Sequence, residues 1–182
     1  MKTRLLLTIL LIPLFLYPQK NKNNWLLFSE ESIETIEISK QDVIKIKDFK
    51  FEIIWDSKLS YSENIGYYGG IKKLTIYKEN KKIQVINDIE DNIALGTIYF
   101  SFYDYNLDGF LDFTLPINSR WLMYFIFNPQ TNQFEHLEDW DYLRIQKIDK
   151  KNKIILSEPD GNAIEDNRKI YKIDGLKIIE IN

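Results

Sequence analysis

Apolar and polar residues alternate with a period of two in several segments of the chain, and this alternation restricts the fold more than any other feature. Phe49, Phe51, Ile53 and Trp55 occupy every second position in one such segment. A period of two is that of a β-strand with one buried face. Aromatic residues make up 14% of the chain, which favours strands because aromatic rings pack well on a pleated surface. The sequence therefore predicts an all-β protein.

Polar or turn-forming residues interrupt the alternating segments about every two dozen residues, a spacing expected of successive hairpins. Hairpin tips are predicted near five positions, Asn80, Leu107, Gln130, Lys151 and Asp174. Such a series predicts an antiparallel hairpin meander, arranged as a sandwich, a barrel or a propeller-like ring. The only candidate for a short helix begins at residues 29–34.

Two of these segments support more detailed predictions. Asp174-Gly175 is a dipeptide that type I′ turns prefer; with these two residues at the tip, Ile173 would pair with Leu176. Residues 121–127 are apolar almost throughout, as expected of a central strand covered on both faces. Trp121 is therefore predicted to lie in the core.

The N-terminus has the pattern of a secretory signal peptide. Lys2 and Arg4 precede the apolar run Leu5–Leu16, which has signal-peptide length and is too short to span a bilayer comfortably. A buried N-terminal helix or strand and an uncleaved anchor are the alternatives. We expect a bacterial protein that is periplasmic or secreted. The predicted organisation is a signal peptide at 1–19, a polar lead-in at 20–30 and a single β domain at 31–182.

Charge and residue content argue against several classes of protein. The net charge is −3, and the basic residues form no stripe of the kind that binds nucleic acid. The chain has no cysteine, which excludes disulfides, a thiol nucleophile and a lipid anchor carried on cysteine. His136 is the only histidine, and no G-x-S-x-G motif accompanies it. With 27 acidic residues, a pair of carboxylates does not indicate a glycosidase. We predict that the protein is not an enzyme.

One motif carries chemistry, the run D-x-N-x-D-G-x-x-D at residues 104–112. In loops of this form the oxygens of positions 1, 3 and 5 turn inward, glycine at position 6 allows the sharp bend, and position 9 closes the ring. A set of oxygen ligands suits Ca²⁺ better than zinc or copper. The predicted ligands are Asp104, Asn106, Asp108, the backbone oxygen of Phe110, and Asp112.

The loop differs from an EF-hand. Position 12, where an EF-hand has a bidentate glutamate, is Leu115, and the flanking segments are predicted strands. We therefore expect a calcium loop on a β scaffold, where the ion would hold one hairpin together. The alternative is an aspartate-rich hairpin turn without a metal.

The chain resembles small periplasmic calcium-loop proteins of bacteria. The resemblance rests on a single loop of this form after an N-terminus with an export signal, with the apolar segment 121–127 after the loop. Some members of that group are immunity proteins that inhibit lysozyme-like, peptidoglycan-cleaving toxins. The resemblance covers roughly residues 95–160 and implies the calcium ligands given above and, as a possible partner, a lysozyme-like hydrolase. The loop is also similar to the calcium loops of FG-GAP propeller repeats, although those recur along the chain.

Two segments are candidate binding surfaces. Residues 61–70 form a loop rich in tyrosine, predicted to be flexible, and aromatic side chains are favoured at interface hot spots. Four acidic residues surround Trp140 and would attract a cationic partner: Glu135, Glu138, Asp139 and Asp141. The plainer interpretation is that the acidic segment is a solvated turn and that the aromatic residues of segment 61–70 anchor a loop.

A carbohydrate-binding or structural cell-envelope module is the alternative function. Exposed aromatic rings on a calcium-bearing β fold would stack on sugars. The candidate rings are those of Tyr67, Tyr68, Trp121 and Trp140.

Overall fold

The computed structural model describes residues 24–90, 96–118, 120–158 and 168–181. The strands, in chain order, are β1 Leu26–Leu27, β2 Glu34–Ile38, β3 Asp42–Ile46, β4 Phe49–Asp56, β5 Tyr61–Ser62, β6 Gly66–Tyr67, β7 Gly70–Lys78, β8 Lys81–Glu90, β9 Ile98–Tyr103, β10 Asp112–Pro116, β11 Leu122–Asn128, β12 Gln133–His136, β13 Ile145–Asp149, β14 Ile154–Ser157, β15 Lys169–Asp174 and β16 Lys177–Glu180. Two single-turn 3₁₀ helices lie at Phe28–Glu30 and Glu138–Trp140. The predicted all-β class is confirmed.

The strands form three main antiparallel sheets, each containing a four-stranded meander. The first sheet has the order β3-β4-β7-β8, the second β2-β9-β10-β11-β12, and the third β1-β13-β14-β15-β16. The strands β1 and β2 precede the first sheet in the chain but join the edges of the third and second sheets, respectively. A separate two-stranded hairpin is formed by β5 and β6. The predicted antiparallel hairpin meander is confirmed, in the form of three meanders rather than one continuous sheet.

The second sheet is covered on both faces, and β11 shows why its sequence is apolar throughout. Phe125 and Phe127 point into a core shared with the first sheet, whereas Tyr124 and Ile126 point into a core shared with the third sheet. The predicted central strand is therefore confirmed. Trp121, however, precedes β11, is only half-buried, and packs edge-on against exposed Tyr142 with the ring centroids 5.7 Å apart. Its predicted place in the core is wrong.

The core between the first and second sheets is dominated by phenylalanine. Phe113 on β10 lies at its centre and is fully buried. Its ring contacts five other rings at centroid distances of 4.6 to 6.2 Å, those of Phe51, Phe100, Phe102, Phe125 and Phe134.

A side-chain amide joins the edges of the first and second sheets. Gln84 on β8 accepts a hydrogen bond from the Phe134 backbone N–H at 2.8 Å and donates one to the Phe134 carbonyl at 2.8 Å. The side chain thus substitutes for a neighbouring strand at this edge.

The last hairpin forms as predicted, but its register does not. The observed pairs are Ile173 with Ile178 and Asp174 with Lys177, so that Gly175 and Leu176 form the turn. Gly175 has a φ of +62°, and a glycine with positive φ at the first central position is the pattern of a type II′ turn. The predicted register is wrong by two residues, and a shift of two keeps every side chain on its face.

Two smaller predictions concern the N-terminal part. The predicted helix start at residues 29–34 is reduced to the 3₁₀ turn Phe28–Glu30, after which β2 begins. The predicted signal peptide lies outside the described residues. Among the helices of the described ranges, none has the length and apolar character needed to cross a membrane.

Candidate metal centre and binding surfaces

The predicted calcium loop connects β9 to β10 in the middle of the second sheet. Asp104 follows β9 directly, and Asp112 is the first residue of β10, where it pairs with Tyr103. Gly109 has a φ of +93°, so position 6 of the motif has the conformation for which glycine is needed. Leu107 also has a positive φ, +57°.

Asp104 and Asp108 are half-buried and organise the backbone of the loop. The two carboxylate oxygens of Asp104 accept hydrogen bonds from the backbone N–H groups of Asp108 and Gly109, both at 2.9 Å. Asp108 accepts one from the Phe110 N–H at 2.9 Å. These bonds turn both carboxylates toward the interior of the loop.

Asn106 is buried and links the loop to the third sheet. Its side-chain amide donates to Asp108 at 2.9 Å and to the backbone carbonyl of Gly175, in the β15–β16 turn, at 3.4 Å. Sequence reasoning did not identify Gly175 as a neighbour, because no local pattern links two turns that far apart in the chain.

Asp112 has a different role from the other loop carboxylates. It is fully buried, and its two oxygens accept hydrogen bonds from the backbone N–H of Tyr105 at 2.8 Å and of Phe127 at 2.9 Å. A weaker bond from the Asn106 N–H at 3.4 Å shares the first oxygen. Asp112 therefore ties the loop to β11, and its oxygens are largely occupied by the backbone.

The electrostatics of the loop disfavour charge in the absence of a cation. Burial raises the pKa of Asp112 well above its ordinary value, and the charges of Asp108 and Asp104 raise it further. Burial likewise raises the pKa of Asp104, against the lowering effect of its backbone hydrogen bonds, with a further increase from Asp108. Among the described residues, no ion pair involves Asp104, Asp108 or Asp112.

The residues therefore fit a calcium ion only in part. Asp104, Asn106 and Asp108 bring oxygen donors to one loop, and the Asp104 carboxylate has lone pairs beyond its hydrogen bonds to backbone N–H groups. Within the described ranges, however, no three His, Cys, Asp or Glu side chains converge as a ready-made metal cluster. Asp112 would reach an ion only by giving up part of its backbone bonding. The side chain of Phe110 is exposed.

The Phe110 ring connects the loop to the first sheet through a lysine. It packs against Phe127 with the centroids 5.6 Å apart. The ammonium of Lys78 lies 4.3 Å from the centroid of Phe127, 5.3 Å from that of Phe49 and 5.5 Å from that of Phe110. The side chain of Lys78 is 22% exposed, and its ammonium is 3.8 Å from the Asp48 carboxylate.

The tyrosine-rich segment, predicted to be a flexible loop, contains the short hairpin formed by β5 and β6; its flexibility stays a prediction. Tyr61 on β5 pairs with Tyr67 on β6, and their rings meet edge-to-face at 5.1 Å. Tyr61, Ile65 and Tyr67 are exposed by 62%, 59% and 60%. Tyr68, the other predicted tyrosine, is half-buried. The hairpin thus presents three large apolar side chains to solvent.

The base of this hairpin is closely packed. The backbone N–H of Tyr68 donates to the Ser60 carbonyl at 3.1 Å. Ser60 has a φ of +58°, and its buried hydroxyl has no hydrogen-bond partner among the described residues. The Trp55 ring lies so close to Gly69 that a Cβ there would be 2.7 Å from it.

The predicted acidic surface is smaller than expected. Trp140 is fully buried, and its indole N–H donates to the Leu176 carbonyl at 3.0 Å. Its predicted exposure as a stacking or surface residue is wrong, because the apolar ring belongs to the core beneath the third sheet. Asp141 is also buried. Glu138 and Asp139 are exposed as predicted and border a cleft of about 460 Å³.

His136 and Asp141 form a pair at the edge of that cleft. The Nε2 atom of His136 lies 2.8 Å from an Asp141 carboxylate oxygen, and the imidazole stacks on Phe125 at 5.2 Å. Asp141 also accepts a hydrogen bond from the Tyr124 N–H at 3.2 Å. Burial raises the pKa of Asp141, and His136 partly offsets this increase. The pair fixes the end of β12 against the 3₁₀ turn that follows.

Comparisons with family models, with curated proteins and with solved structures gave no significant match to this chain.

Proposed function

We propose that this chain is an exported calcium-stabilised β protein that acts by binding and not by catalysis. The observation that carries the proposal is the loop between β9 and β10, in which Asp104 and Asp108 face the same interior with Asn106 between them. A divalent cation there would offset the mutual repulsion of carboxylates that have no basic partner among the described ion pairs. The ion would hold together a hairpin at the centre of the middle sheet.

Calcium is the cation of choice because every donor in the loop is an oxygen. Calcium also tolerates an irregular shell that includes backbone oxygens and water. Asp104, Asn106 and Asp108 would be side-chain ligands, and the Phe110 carbonyl and water would complete the shell. Asp112 would act mainly through its bonds to the backbone of the loop.

The test is the melting temperature with excess calcium and with a chelator. Stabilisation by a ligand grows as RT ln(1 + [L]/Kd), about 2.7 kcal/mol at a hundredfold excess over Kd. For a chain of this size that corresponds to an increase of roughly 5–11 °C. Magnesium should give a smaller shift, since it demands a more regular shell.

The double variant Asp104→Asn/Asp108→Asn keeps one acceptor oxygen on each residue but removes two charges, and should lose the calcium shift. Asp88→Asn/Asp139→Asn removes two charges from exposed residues outside the loop; it is the matched control and should retain the shift. No shift in the wild-type protein at millimolar calcium would contradict the metal assignment. The loop would then be an aspartate-rich turn held by its own hydrogen bonds.

For the binding role, the β5–β6 hairpin with exposed Tyr61, Ile65 and Tyr67 favours a protein partner. Tyrosine supplies large contact area at little entropic cost, and the serine, asparagine and glycine between these residues supply adaptable hydrogen bonds. A lysozyme-like peptidoglycan hydrolase is the proposed partner, with exposed Glu138 and Asp139 attracting its positive charge. A carbohydrate partner is the second candidate, supported by the same exposed rings.

A binding assay separates the two candidates. The full-length protein is added to a cationic lysozyme and, separately, to insoluble peptidoglycan. Stoichiometric inhibition of the enzyme supports the first candidate, and sedimentation with the polymer supports the second. Tyr61→Ala/Tyr67→Ala should abolish the interaction, and Tyr142→Ala, which removes an equally exposed ring elsewhere, should not. Binding to neither would refute both.

Export is tested by cell fractionation and by the mass of the mature protein.

A further inference from the structure

The outer face of the third sheet carries a continuous apolar surface that no layer of the described protein uses. Six aliphatic side chains point to this side, opposite to the core residues Ile148, Ile155 and Ile173. They are those of Leu27, Ile154, Leu156, Ile170, Ile179 and Ile181. Among the described residues, these six belong to neither hydrophobic core.

Strand register shows that the six side chains are neighbours. One row across the sheet runs from Leu27 through Lys147 and Leu156 to Ile170, and the Ile181 N–H extends it by donating to the Ile170 carbonyl at 2.8 Å. A second row runs through Ile154, Lys172 and Ile179. Leu27 is 45% exposed and Ile179 48% exposed; the other four are partly exposed.

The polar residues among them are mostly basic. Lys147 and Lys172 lie within the two rows, and neither takes part in an ion pair of the described residues. Lys177 follows at the rim, opposite Asp174. Asp149, at the other end of the second row, is buried and accepts hydrogen bonds from Asn152 within its own turn. Asp174 is exposed on the same face and offsets one of these lysines. In the two rows and at their rim, basic residues outnumber acidic ones by three to two, in a chain whose net charge is −3.

We propose that the outer face of the third sheet docks onto an anionic lipid bilayer. Aliphatic side chains interspersed with lysines match such a surface, because the apolar groups enter the boundary region while the ammonium groups reach the headgroups. The apolar area and the lysines act together, and neither alone gives stable attachment.

The position of β1 favours a bilayer over a second copy of the chain as the occupant. β1 is the edge strand of this sheet, so the chain before residue 24 joins the domain beside the apolar face. Lys20 and Lys22 lie in the part of that sequence that would remain after removal of a signal peptide at 1–19. Basic residues beside the apolar face have affinity for the same anionic surface. The inference does not depend on the calcium loop.

The outer face of the first sheet provides a matched comparison. There Ile54 is 44% exposed and pairs with Lys73, just as Ile179 pairs with Lys172 in the third sheet. The surroundings differ in arrangement, because on the first sheet the exposed Val43 and Val85 are separated by Glu52 and Thr75 in one row. Glu52 also accepts hydrogen bonds from Lys50 and Tyr77 at 2.9 Å. The same pair of substitutions can therefore be made on both faces.

The test is sedimentation of the full chain with phosphatidylcholine vesicles that contain or lack phosphatidylglycerol. We expect binding to the anionic vesicles that weakens with salt. One lysine near an anionic surface contributes about fivefold to partitioning, so the charge reversal in Ile179→Asp/Lys172→Glu alone should lower the partition coefficient roughly 25-fold. Ile54→Asp/Lys73→Glu should leave it unchanged. Lys147→Glu, a single change on the same face, serves if the double variant fails to fold.

Three results would overturn the proposal. The wild-type chain does not bind anionic vesicles; or the variants on the two faces bind equally, so that another part of the chain carries the affinity; or the wild-type chain is a dimer in solution that Ile179→Asp/Lys172→Glu dissociates without affecting vesicle binding. The last result would assign the face to a second copy.

Discussion

Replacing Lys78 by methionine should destabilise the protein by about 1.5 kcal/mol, through loss of a charge held among three aromatic rings. The Lys78 ammonium is 4.3 Å from the Phe127 centroid and farther from Phe49 and Phe110. Methionine retains most of the apolar stem, so that the loss reports the charge and not the packing.

The magnitude follows from burial and distance. The contact with Phe127 is partly desolvated, since the lysine side chain is 22% exposed; such a contact contributes about 1–2 kcal/mol and the two longer ones roughly 0.5 kcal/mol each. The carboxylate of Asp48 at 3.8 Å adds little at a partly exposed site. Removing a partly buried charge recovers some desolvation cost, which brings the expected net loss to about 1.5 kcal/mol.

Urea unfolding of Lys78→Met is the assay, with Lys82→Met on the same hairpin, an exposed residue, as the control. The melting temperature should fall by about 3–6 °C. A double-mutant cycle with Phe110→Leu should give a coupling of at least about 0.5 kcal/mol. A loss below that size for Lys78→Met, equal to an ordinary surface substitution, would refute the view that the rings stabilise the ammonium.

Three further substitutions test other parts of the fold. Phe113→Ala should cost about 3–5 kcal/mol in chemical unfolding, because it removes the ring at the centre of the phenylalanine core; a loss under 1.5 kcal/mol would show that this core is loosely packed. Gln84→Leu should cost about 1–3 kcal/mol by leaving the edge N–H of Phe134 without its acceptor, and hydrogen exchange at that amide should accelerate; unchanged exchange would contradict the bridge. Gly69→Ala should displace the Trp55 ring and alter its fluorescence, whereas Gly66→Ala, with open space around it, should not.

Strand positions and strand faces could be read from the sequence, because a half-buried strand must alternate. Phe49, Phe51 and Ile53 are buried as their spacing requires. The final register could not be read in the same way. Moving Ile173 from Leu176 to Ile178 keeps all the apolar side chains on one face, and the turn preference alone did not decide between the two pairings.

Long-range arrangement accounts for the other differences. The sequence of β1 and β2 does not indicate that these strands add to the third and second sheets. Trp140 lies in an acidic segment and was taken as exposed, but its indole fills the core between those sheets and finds a hydrogen-bond acceptor there. Segments with mixed polarity give an ambiguous pattern, and only the packing of distant strands decides which side chain is buried.

The pH dependence of stability separates a metal loop from a metal-free turn. The pKa values of Asp104 and Asp112 are raised in the folded protein, chiefly by burial. The stability that such groups contribute is fully present below their unfolded pKa of about 3.8 and is lost as the pH rises through the folded pKa. In the presence of a chelator, raising the pH from about 4 toward neutrality should therefore lower the contribution of the loop. Calcium binds the ionised form, so its stabilising effect should increase over the same range.

Melting temperatures of the wild-type protein and of Asp104→Asn, measured against pH with chelator and with calcium, would show this pH dependence. Parallel wild-type curves would mean that no cation couples to these carboxylates, and a wild-type slope in chelator equal to that of Asp104→Asn would mean that Asp104 is not the group responsible.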